Sequence, residues 1–258
     1  MKKTLSYIII SMIAFCAAAQ DLYIGSFYVT STNDESSFGD GKDKWTSRRT
    51  HIYNMFKFEL PDVLGLQGLT SAQLSQMRIN MGYYAANDIL YNKSLELDTC
   101  GTVTDMPEGN TCSWARLKKD GTAFYVFNFC FTPDSALVST MRLRTAAGEI
   151  NTENLPSFAV GYLGAKQTTT AYSRLTAKFN DCYTKAPIKS AEFGTVNNFD
   201  LENNHGTDRY DFVMASTSVS VKAYGQLQYG YFTEEADNSH KRRQLSAHFP
   251  VMAKVTLP

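Results

Sequence analysis

The chain has 258 residues, of which 43% are hydrophobic, and its 25 Lys and Arg residues balance its 25 Asp and Glu residues. This length is enough for one domain, or two small ones, with a sizeable core. The balanced charge argues against a nucleic-acid partner, because proteins that bind nucleic-acid phosphates usually carry a basic excess. The densest basic run, residues 241–243, is typical of a solvated loop.

The first 19 residues have the pattern of a secretory signal peptide. Lys2 and Lys3 precede an apolar run over residues 5–15, and three alanines at 17–19 offer a small-residue cleavage site. We therefore expect an exported mature chain, residues 20–258, in the periplasm or outside the cell and with no membrane span. A retained anchor and a lipoprotein cut at Cys16 are the alternatives, although Phe15 is bulky for the residue before a lipidated cysteine.

Four cysteines remain in the expected mature chain: Cys100, Cys112, Cys130 and Cys182. An exported chain permits disulfides, and four cysteines allow three pairings. Cys100 and Cys112 flank a loop-like stretch that a disulfide could close, and Cys130 could pair with Cys182. No CxxC spacing occurs, which argues against metal binding by these thiols.

In chain order, the first third predicts alternating strands and helices. Residues 22–30 predict a strand and 31–44 a polar loop; residues 45–58 predict a helix that Ser47 caps and Pro61 ends. A buried strand over 62–67 and a short helix over 69–77 follow.

The remainder is richer in strands. We predict strands at 89–91, 94–99 and 113–118, a hairpin turn at 119–121 and a strand at 124–131 that is apolar on both faces. Further strands are predicted at 157–163, 211–215, 219–228 and 248–257, with helices at 133–141 and 170–179. No repeat or linker divides the chain, so we expect one α/β domain with sandwich architecture.

Several motifs occur in one order along the chain. Ser26-Phe27 opens it, WTSRR at 45–49 precedes PDVLGLQ at 61–67, and FYVFN follows at 124–128. Arg209-Tyr210-Asp211-Phe212 and SAHFPV at 246–251 complete the set. This order resembles the exported bacterial members of the endonuclease/exonuclease/phosphatase superfamily. The resemblance covers nearly all of the mature chain and implies the DNase I-like fold, a four-layer α-β-β-α sandwich of two mixed sheets flanked by helices.

The resemblance also implies a chemistry. Enzymes of this superfamily hold Mg²⁺ or Mn²⁺ with carboxylates, which are the ligands that hard cations prefer. An aspartate activates water, and histidines stabilise the charge that develops on the phosphoester.

This sequence departs from the family pattern at the positions that carry the chemistry. Of the family's site residues only His248 remains, while Asn128 and Asp211 resemble supporting residues of the framework. Removing one member of a cooperative site costs about 10⁴- to 10⁶-fold in rate. We therefore predict a pseudoenzyme that uses no metal cofactor. The replaced positions are Tyr28 for Asn, Gly68 for the metal-binding Glu, Phe129-Cys130 for Thr-His, Tyr162 for Asp, Gly164 for Asn and Ala247 for Asp.

Three hypotheses for the altered site follow. In the first, Tyr28, Phe129 and Tyr162, assisted by Asn128 and Asp211, bind a small molecule, glycan or protein; otherwise the three aromatic side chains fill the old site as core.

In the second, Cys130 and His248 form a thiolate–imidazole pair, the alternative being an inert buried cysteine. In the third, a residual or altered phosphodiesterase or phosphatase acts on a phosphorylated or sugar-containing ligand, with only Asp211 and Glu202 nearby to hold a metal.

Overall fold

A seven-stranded mixed sheet contains strands from both ends of the described chain in the computed structural model, which describes residues 20–35, 43–200 and 206–258. The predicted signal peptide lies outside these residues. Strand β1 runs parallel to β2 and antiparallel to β15, and Tyr28 pairs with Gln67 at the end of β1. The strands, in spatial order, are β10 (Ile188–Ser190), β12 (Ser220–Gln226), β15 (Val251–Leu257), β1 (Gln20–Tyr28), β2 (Val63–Gln67), β4 (Ile89–Tyr91) and β3 (Tyr84–Ala86).

The second sheet has six strands, and its register brings three residues together at one end. Within the parallel pair β7–β8, Cys130 lies opposite Tyr162, and within the antiparallel pair β8–β11, Tyr162 lies opposite Asp211. The order is β5 (Glu96–Thr102), β6 (Thr111–Lys119), β7 (Thr122–Cys130), β8 (Ser157–Tyr162), β11 (Asp211–Ala215) and β9 (Asn180–Asp181). A separate hairpin pairs β13 (Gly230–Glu234) with β14 (His240–Gln244).

The two sheets pack face to face, and helices cover their outer faces. Leu22 and Ile24 of the first sheet share one apolar cluster with Val126 and Val213 of the second. Helices α1 (Trp45–Glu59) and α2 (Ser71–Met81) pack on the first sheet, and α3 (Ala136–Ile150) and α4 (Thr170–Thr176) pack on the second. A short helix, α5 (Cys182–Lys185), follows β9. This arrangement confirms the predicted four-layer sandwich. No helix in the described ranges is long and apolar enough to cross a membrane.

Three local predictions need correction. Lys44, not Ser47, is the N-cap of α1, and the Glu35 carboxylate accepts the Trp45 backbone N–H there. The helix predicted at 133–141 begins as a 3-10 turn, Pro133–Ser135, and α3 continues to Ile150. The short strands β3, β9 and β10 and the β13–β14 hairpin were not predicted, and the basic run at 241–243 lies in β14 and not in a loop.

The four cysteines in the described ranges are free thiols. Cys100 lies opposite Ala115 in the β5–β6 ladder, so Cys112 is three residues away along β6, and these two cysteines do not form the disulfide that the sequence left open. Cys182 is buried in the core between the sheets, whereas Cys130 lies at the end of β7 and forms no disulfide with it. The fold therefore depends on packing and hydrogen bonds without a covalent crosslink.

Arg48 on α1 is a fully buried arginine that joins three segments of the backbone. Its guanidinium donates to the carbonyl of Thr30 at 2.6 Å, of Leu245 at 3.0 Å and of Asp43 at 3.1 Å, and also to the carbonyl of Val29. The carboxylate of Glu35 lies 3.6 Å away. Burial lowers the pKa of Arg48 to about 10, which leaves the side chain charged at neutral pH. Arg48 thus satisfies carbonyls that would otherwise be buried without donors.

We expect Arg48→Ala to lower the free energy of unfolding by about 3–5 kcal/mol, because it leaves several buried carbonyls unpaired. Urea denaturation followed by circular dichroism measures this change. The control is Arg49→Ala, which removes the neighbouring arginine of the same helix and should change stability by no more than about 0.5 kcal/mol. Equal effects of the two substitutions would contradict the role assigned to Arg48.

Candidate functional site

The candidate site lies where the inward faces of both sheets reach the end of the sandwich. Side chains alternate along a strand, so β7 directs Phe124, Val126, Asn128 and Cys130 towards the other sheet. Apolar residues fill the middle of this interface, and a polar layer closes it. In that layer, Gln67 Nε2 donates to Asn128 Oδ1 at 2.6 Å, and Asn128 Nδ2 donates to the Leu66 carbonyl at 2.9 Å.

Beyond the polar layer, Tyr28 lies between Gly68 and His248. The Tyr28 ring stacks on the His248 imidazole with centroids 4.2 Å apart and an angle of 18° between the rings. Gly68 has φ +55°, and a Cβ added there would come within 2.3 Å of Tyr28 Cζ. A side chain at position 68 would therefore need both a left-handed backbone and the space that the phenol ring occupies.

Tyr162 completes an aromatic group with these two rings. It meets Tyr28 edge-on at 5.3 Å and His248 edge-on at 5.2 Å. Burial raises the pKa of Tyr162 to about 12, and the nearby Asp211 carboxylate adds to the shift. Burial also raises the pKa of Tyr28. Both phenols are therefore neutral at physiological pH and do not supply anionic bases there.

His248 is held by a carboxylate from β11 in the facing sheet. Its Nδ1 lies 2.9 Å from Asp211 Oδ2 and 3.1 Å from Oδ1, and Asp211 is fully buried. This bond fixes the orientation of the imidazole and leaves Nε2 as the ring nitrogen for a ligand. The pair is an oriented Asp–His dyad, a group that can donate or accept a proton.

Thr30 has a strained backbone and joins the segment that follows Tyr28 to the segment that precedes His248. Thr30 has φ +65°, which is unfavourable for a β-branched residue. Its carbonyl accepts from Arg48 at 2.6 Å and from Gln73 at 3.1 Å, and its hydroxyl lies 2.8 Å from Ser246 Oγ and accepts the Ala247 N–H at 3.1 Å. Four hydrogen bonds thus maintain the strained residue beside the site, as is common at functional sites.

The aromatic group forms one wall of an open cavity of about 800 Å³. The opposite wall comes from the segment that precedes β11, and its backbone is pinned by Ala247, whose carbonyl accepts the N–H groups of Asn197 at 2.7 Å and Asn198 at 3.0 Å. Tyr28 and Tyr162 are partly exposed in this cavity. The lining residues are Tyr28, Tyr162, Gly194, Val196, Asn197, Asn198, Asp200, Gly206, Asp208, Tyr210 and His248.

The structure separates the predicted binding residues. Tyr28 and Tyr162 line the cavity, whereas Asp211 lies behind His248 and Asn128 lies one layer deeper. Phe129 is misplaced in the prediction: it belongs to the cluster between the second sheet and its helices and stacks on Phe131 at 4.9 Å. Its neighbours Asn128 and Cys130 face inward, so strand alternation turns Phe129 away from the cavity.

Cys130 lies beside the aromatic group but is not activated. Burial raises the pKa of its thiol to about 12, although the Gly68 backbone N–H opposes the shift. The thiolate fraction at neutral pH is therefore far below that of a free cysteine, and Cys130 lacks the lowered pKa that a nucleophilic cysteine needs.

The residues present do not fit a divalent metal ion. Within the described ranges, no three His, Cys, Asp or Glu side chains come together as a metal site. Gly68 and Ala247 have no donor atom in their side chains, Tyr28 fills the space next to Gly68, and Asp211 is engaged with His248. Gly164 has φ +68° and packs against the Phe131 carbonyl. Glu202 lies outside the described residues.

Sequence reasoning missed several residues that shape the site. Tyr210, Asn197 and Asp208 line the cavity, and Thr30 and Arg48 hold its floor in place. Tyr210 sits inside a motif that the sequence analysis used only as framework. The available signal was its position directly before β11, at the end of the strand that carries Asp211.

We expect Gly68→Ala to be more destabilising in the wild-type chain than in a Tyr28→Ala background. The left-handed backbone costs about 1–3 kcal/mol in either case, but only the wild type adds the collision with the phenol ring. Urea denaturation should show a difference of at least about 1 kcal/mol between the two costs. Gly82→Ala is the control, since Gly82 is also left-handed but has open space around it. If Gly68→Ala cost the same free energy of unfolding in both backgrounds, Tyr28 would not occupy the space beside position 68.

Iodoacetamide at pH 7.5 should modify Cys100 rapidly and Cys130 only after denaturation. Cys100 is exposed and provides the control within the same protein, whereas the raised pKa of Cys130 leaves almost no thiolate. Peptide mass spectrometry over a time course measures both rates. Rapid modification of native Cys130 would support the thiolate–imidazole hypothesis.

Comparison with known proteins matches most of the chain to solved structures. No protein-family model matches the sequence, and no curated protein does so either. An endonuclease/exonuclease/phosphatase family protein from Bacteroides thetaiotaomicron aligns with TM-score 0.84 at 23% identity, covering 93% of this chain and 99% of that one. A mannosyl-6-phosphatase from the same species aligns with TM-score 0.81 at 24% identity, covering 91% and 99%.

A more distant match is D. rerio TDP2 in complex with a single-strand DNA product, with TM-score 0.66 at 13% identity, covering 91% of this chain and 98% of that one. Identities this low establish shape without establishing activity. The chain has the DNase I-like α/β sandwich fold of endonuclease/exonuclease/phosphatase proteins, as its sequence motifs predicted.

Proposed function

We propose that this protein is an exported member of the fold that has lost metal-dependent phosphoester hydrolysis and uses its cleft to bind a ligand. The position of Tyr28 is the observation that carries the proposal. Its ring lies over Gly68 and against His248. Position 68 is where the resemblance places the glutamate that binds the metal. Hydrolysis through a metal needs that carboxylate, because the cation both polarises the phosphoryl group and activates water.

The cavity supports the binding half of the proposal. It measures about 800 Å³, within the range of small-molecule sites, and combines aromatic rings with amide, hydroxyl and carboxylate groups. The aromatic side chains therefore do not simply fill the old site, since Tyr28 and Tyr162 remain partly exposed along the cavity. Because one similar structure is named as a mannosyl-6-phosphatase, we propose a sugar-containing small molecule or glycan ahead of a protein partner.

The Asp211–His248 dyad favours one alternative, an altered hydrolase. His248 lines the cavity, and Asp211 holds it in an orientation suited to proton transfer. Such an enzyme would act on a phosphorylated or sugar-containing ligand without the family's metal. Among the described residues, neither Cys130 nor Tyr162 is an activated nucleophile that could accompany the dyad, because burial raises both pKa values to about 12. Binding without turnover is therefore the primary proposal.

Calorimetric titration with Mn²⁺ and an assay with bis(p-nitrophenyl) phosphate and p-nitrophenyl phosphate test the proposal together. We expect no saturable Mn²⁺ binding and no hydrolysis above the buffer rate at millimolar metal, because the described part of the cleft brings no three metal-binding side chains together. The matched control is His248→Ala: activity that survives this substitution comes from a contaminant. Saturable Mn²⁺ binding, or hydrolysis that His248→Ala abolishes, would overturn the proposal. If that hydrolysis does not depend on metal, it would favour the altered hydrolase.

A further inference from the structure

We infer that a second cavity, separate from the cleft, binds a small organic ammonium ion against the carboxylate of Asp88. This cavity has a volume of about 350 Å³. One wall is the turn between β3 and β4, which consists of Asn87 and Asp88, and the other comes from residues 102–113, where β5 connects to β6. The inference does not depend on the proposed function, because the residues that line this cavity do not line the cleft.

Asp88 directs a largely buried carboxylate from the first sheet towards the second. Ser113 Oγ on β6 donates to Asp88 Oδ1. The Asp88 carbonyl accepts the Leu66 N–H at 3.0 Å, and Asn128 Nδ2 lies 3.4 Å from it, so the residue adjoins the polar layer between the sheets. An aspartate that served only the turn could leave its side chain in solvent. Here the carboxylate is held at the wall of the cavity instead.

Among the described residues, this carboxylate has neutral partners and no cation. Its donors are the Ser113 hydroxyl and the Asn128 amide. Arg142 reaches the neighbouring loop, but there it donates to the Thr104 carbonyl at 3.0 Å and to Glu149 at 3.0 Å. Burial raises the pKa of Asp88, although the hydrogen bonds from its two donors oppose the shift. Buried charges in proteins are normally paired, so a cationic ligand would stabilise the charged form of this side chain.

The remaining lining favours an organic ammonium ion over a metal ion. Val103 and Cys112 contribute apolar side chains to the cavity, and Thr102 and Thr111 add hydroxyl groups. Hard cations bind several oxygen ligands, whereas no three His, Cys, Asp or Glu side chains converge in the part of the chain that the structure describes. An ammonium group has three N–H donors for the carboxylate and the hydroxyls. Its carbon chain can contact the apolar side chains.

Hydrogen bonds hold both walls of the cavity in place without a ligand. In the connection between β5 and β6, Asn110 Nδ2 donates to Ser135 Oγ at 2.8 Å, and Asn110 Oδ1 accepts the Thr132 N–H at 2.8 Å. In the opposite wall, Asn87 Nδ2 donates to the Gly101 carbonyl at 3.0 Å, which joins the turn to β5. A site that is already ordered loses little free energy when a ligand binds, so a ligand of few atoms can bind measurably.

Calorimetric titration of the purified protein with n-butylammonium chloride, at neutral pH and constant ionic strength, tests the inference. We expect saturable binding with a Kd of about 1 mM, and binding at least about tenfold weaker for 1-butanol, which has the same size without the charge. Asp88→Asn should weaken the binding of butylammonium at least about tenfold, because it removes the charge and keeps the size of the side chain. The matched control is Asp98→Asn on β5, whose exposed carboxylate pairs with Arg116 and Lys118 and whose loss should leave the affinity unchanged.

Amide chemical shifts of the wild-type protein locate the bound ion, so the test does not depend on whether Asp88→Asn folds. The shifts of Asp88 and Ser113 should change during the titration with butylammonium, because both residues adjoin the cavity. The shifts of Tyr162 and His248 should stay constant, because both residues line the cleft.

Absence of butylammonium binding below about 50 mM would overturn the inference, as would equal binding of 1-butanol. Undiminished binding by folded Asp88→Asn, equal losses in Asp88→Asn and Asp98→Asn, or shift changes confined to the cleft would overturn the assignment to Asp88. Saturable binding of K⁺ or Ca²⁺ at Asp88 that excludes butylammonium would show an inorganic cation site instead. None of these results bears on the ligand of the cleft or on phosphoester hydrolysis, so the two proposals fail separately.

Discussion

The buried guanidinium of Arg48 is the contact on which the cleft end of the molecule depends. It bonds carbonyls that follow β1, precede α1 and precede Ser246, so one side chain holds three irregular segments together. Such segments cannot satisfy their own backbone groups by sheet pairing, and water is excluded from them. Because the segment after Tyr28 and the segment before His248 are bound to the same cation, the two rings meet at 4.2 Å.

Much of the fold was predictable because burial leaves a strong pattern in the sequence. The strand over 124–131 is apolar on both faces because the facing sheet covers one side and α3 and α4 cover the other. The hairpin at Asp120 and Gly121 was predictable because both residues tolerate positive φ. Strands β3 and β10 have three residues each at sheet edges, and such short segments carry too little periodicity to distinguish them from loops.

The candidate site was less predictable, for two physical reasons. Motif matching placed Phe129 in the cleft, but the parity of β7 turns it to the opposite face, which alternation along 124–130 could have indicated. The opposite wall of the cavity, by contrast, is held by backbone hydrogen bonds. The N–H groups of Asn197 and Asn198 donate to the Ala247 carbonyl, and the Phe249 N–H donates to the Thr195 carbonyl. Any residue except proline can donate such a backbone bond, so the residue types in the sequence do not indicate where this segment packs.

The replaced positions act as one set, and this coupling bears on how the site could change. A glutamate returned to position 68 would meet the Tyr28 ring on a left-handed backbone. An asparagine returned to position 28 would remove the stack on His248, worth about 0.5–1.5 kcal/mol in aromatic pairs. An aspartate at the buried position 247 would need a partner for its charge, since the described residues form no metal site that could provide a cation. Under the proposed loss of metal chemistry, each of these three substitutions alone would therefore be opposed by the residues that now surround it, and a metal site would require several changes together.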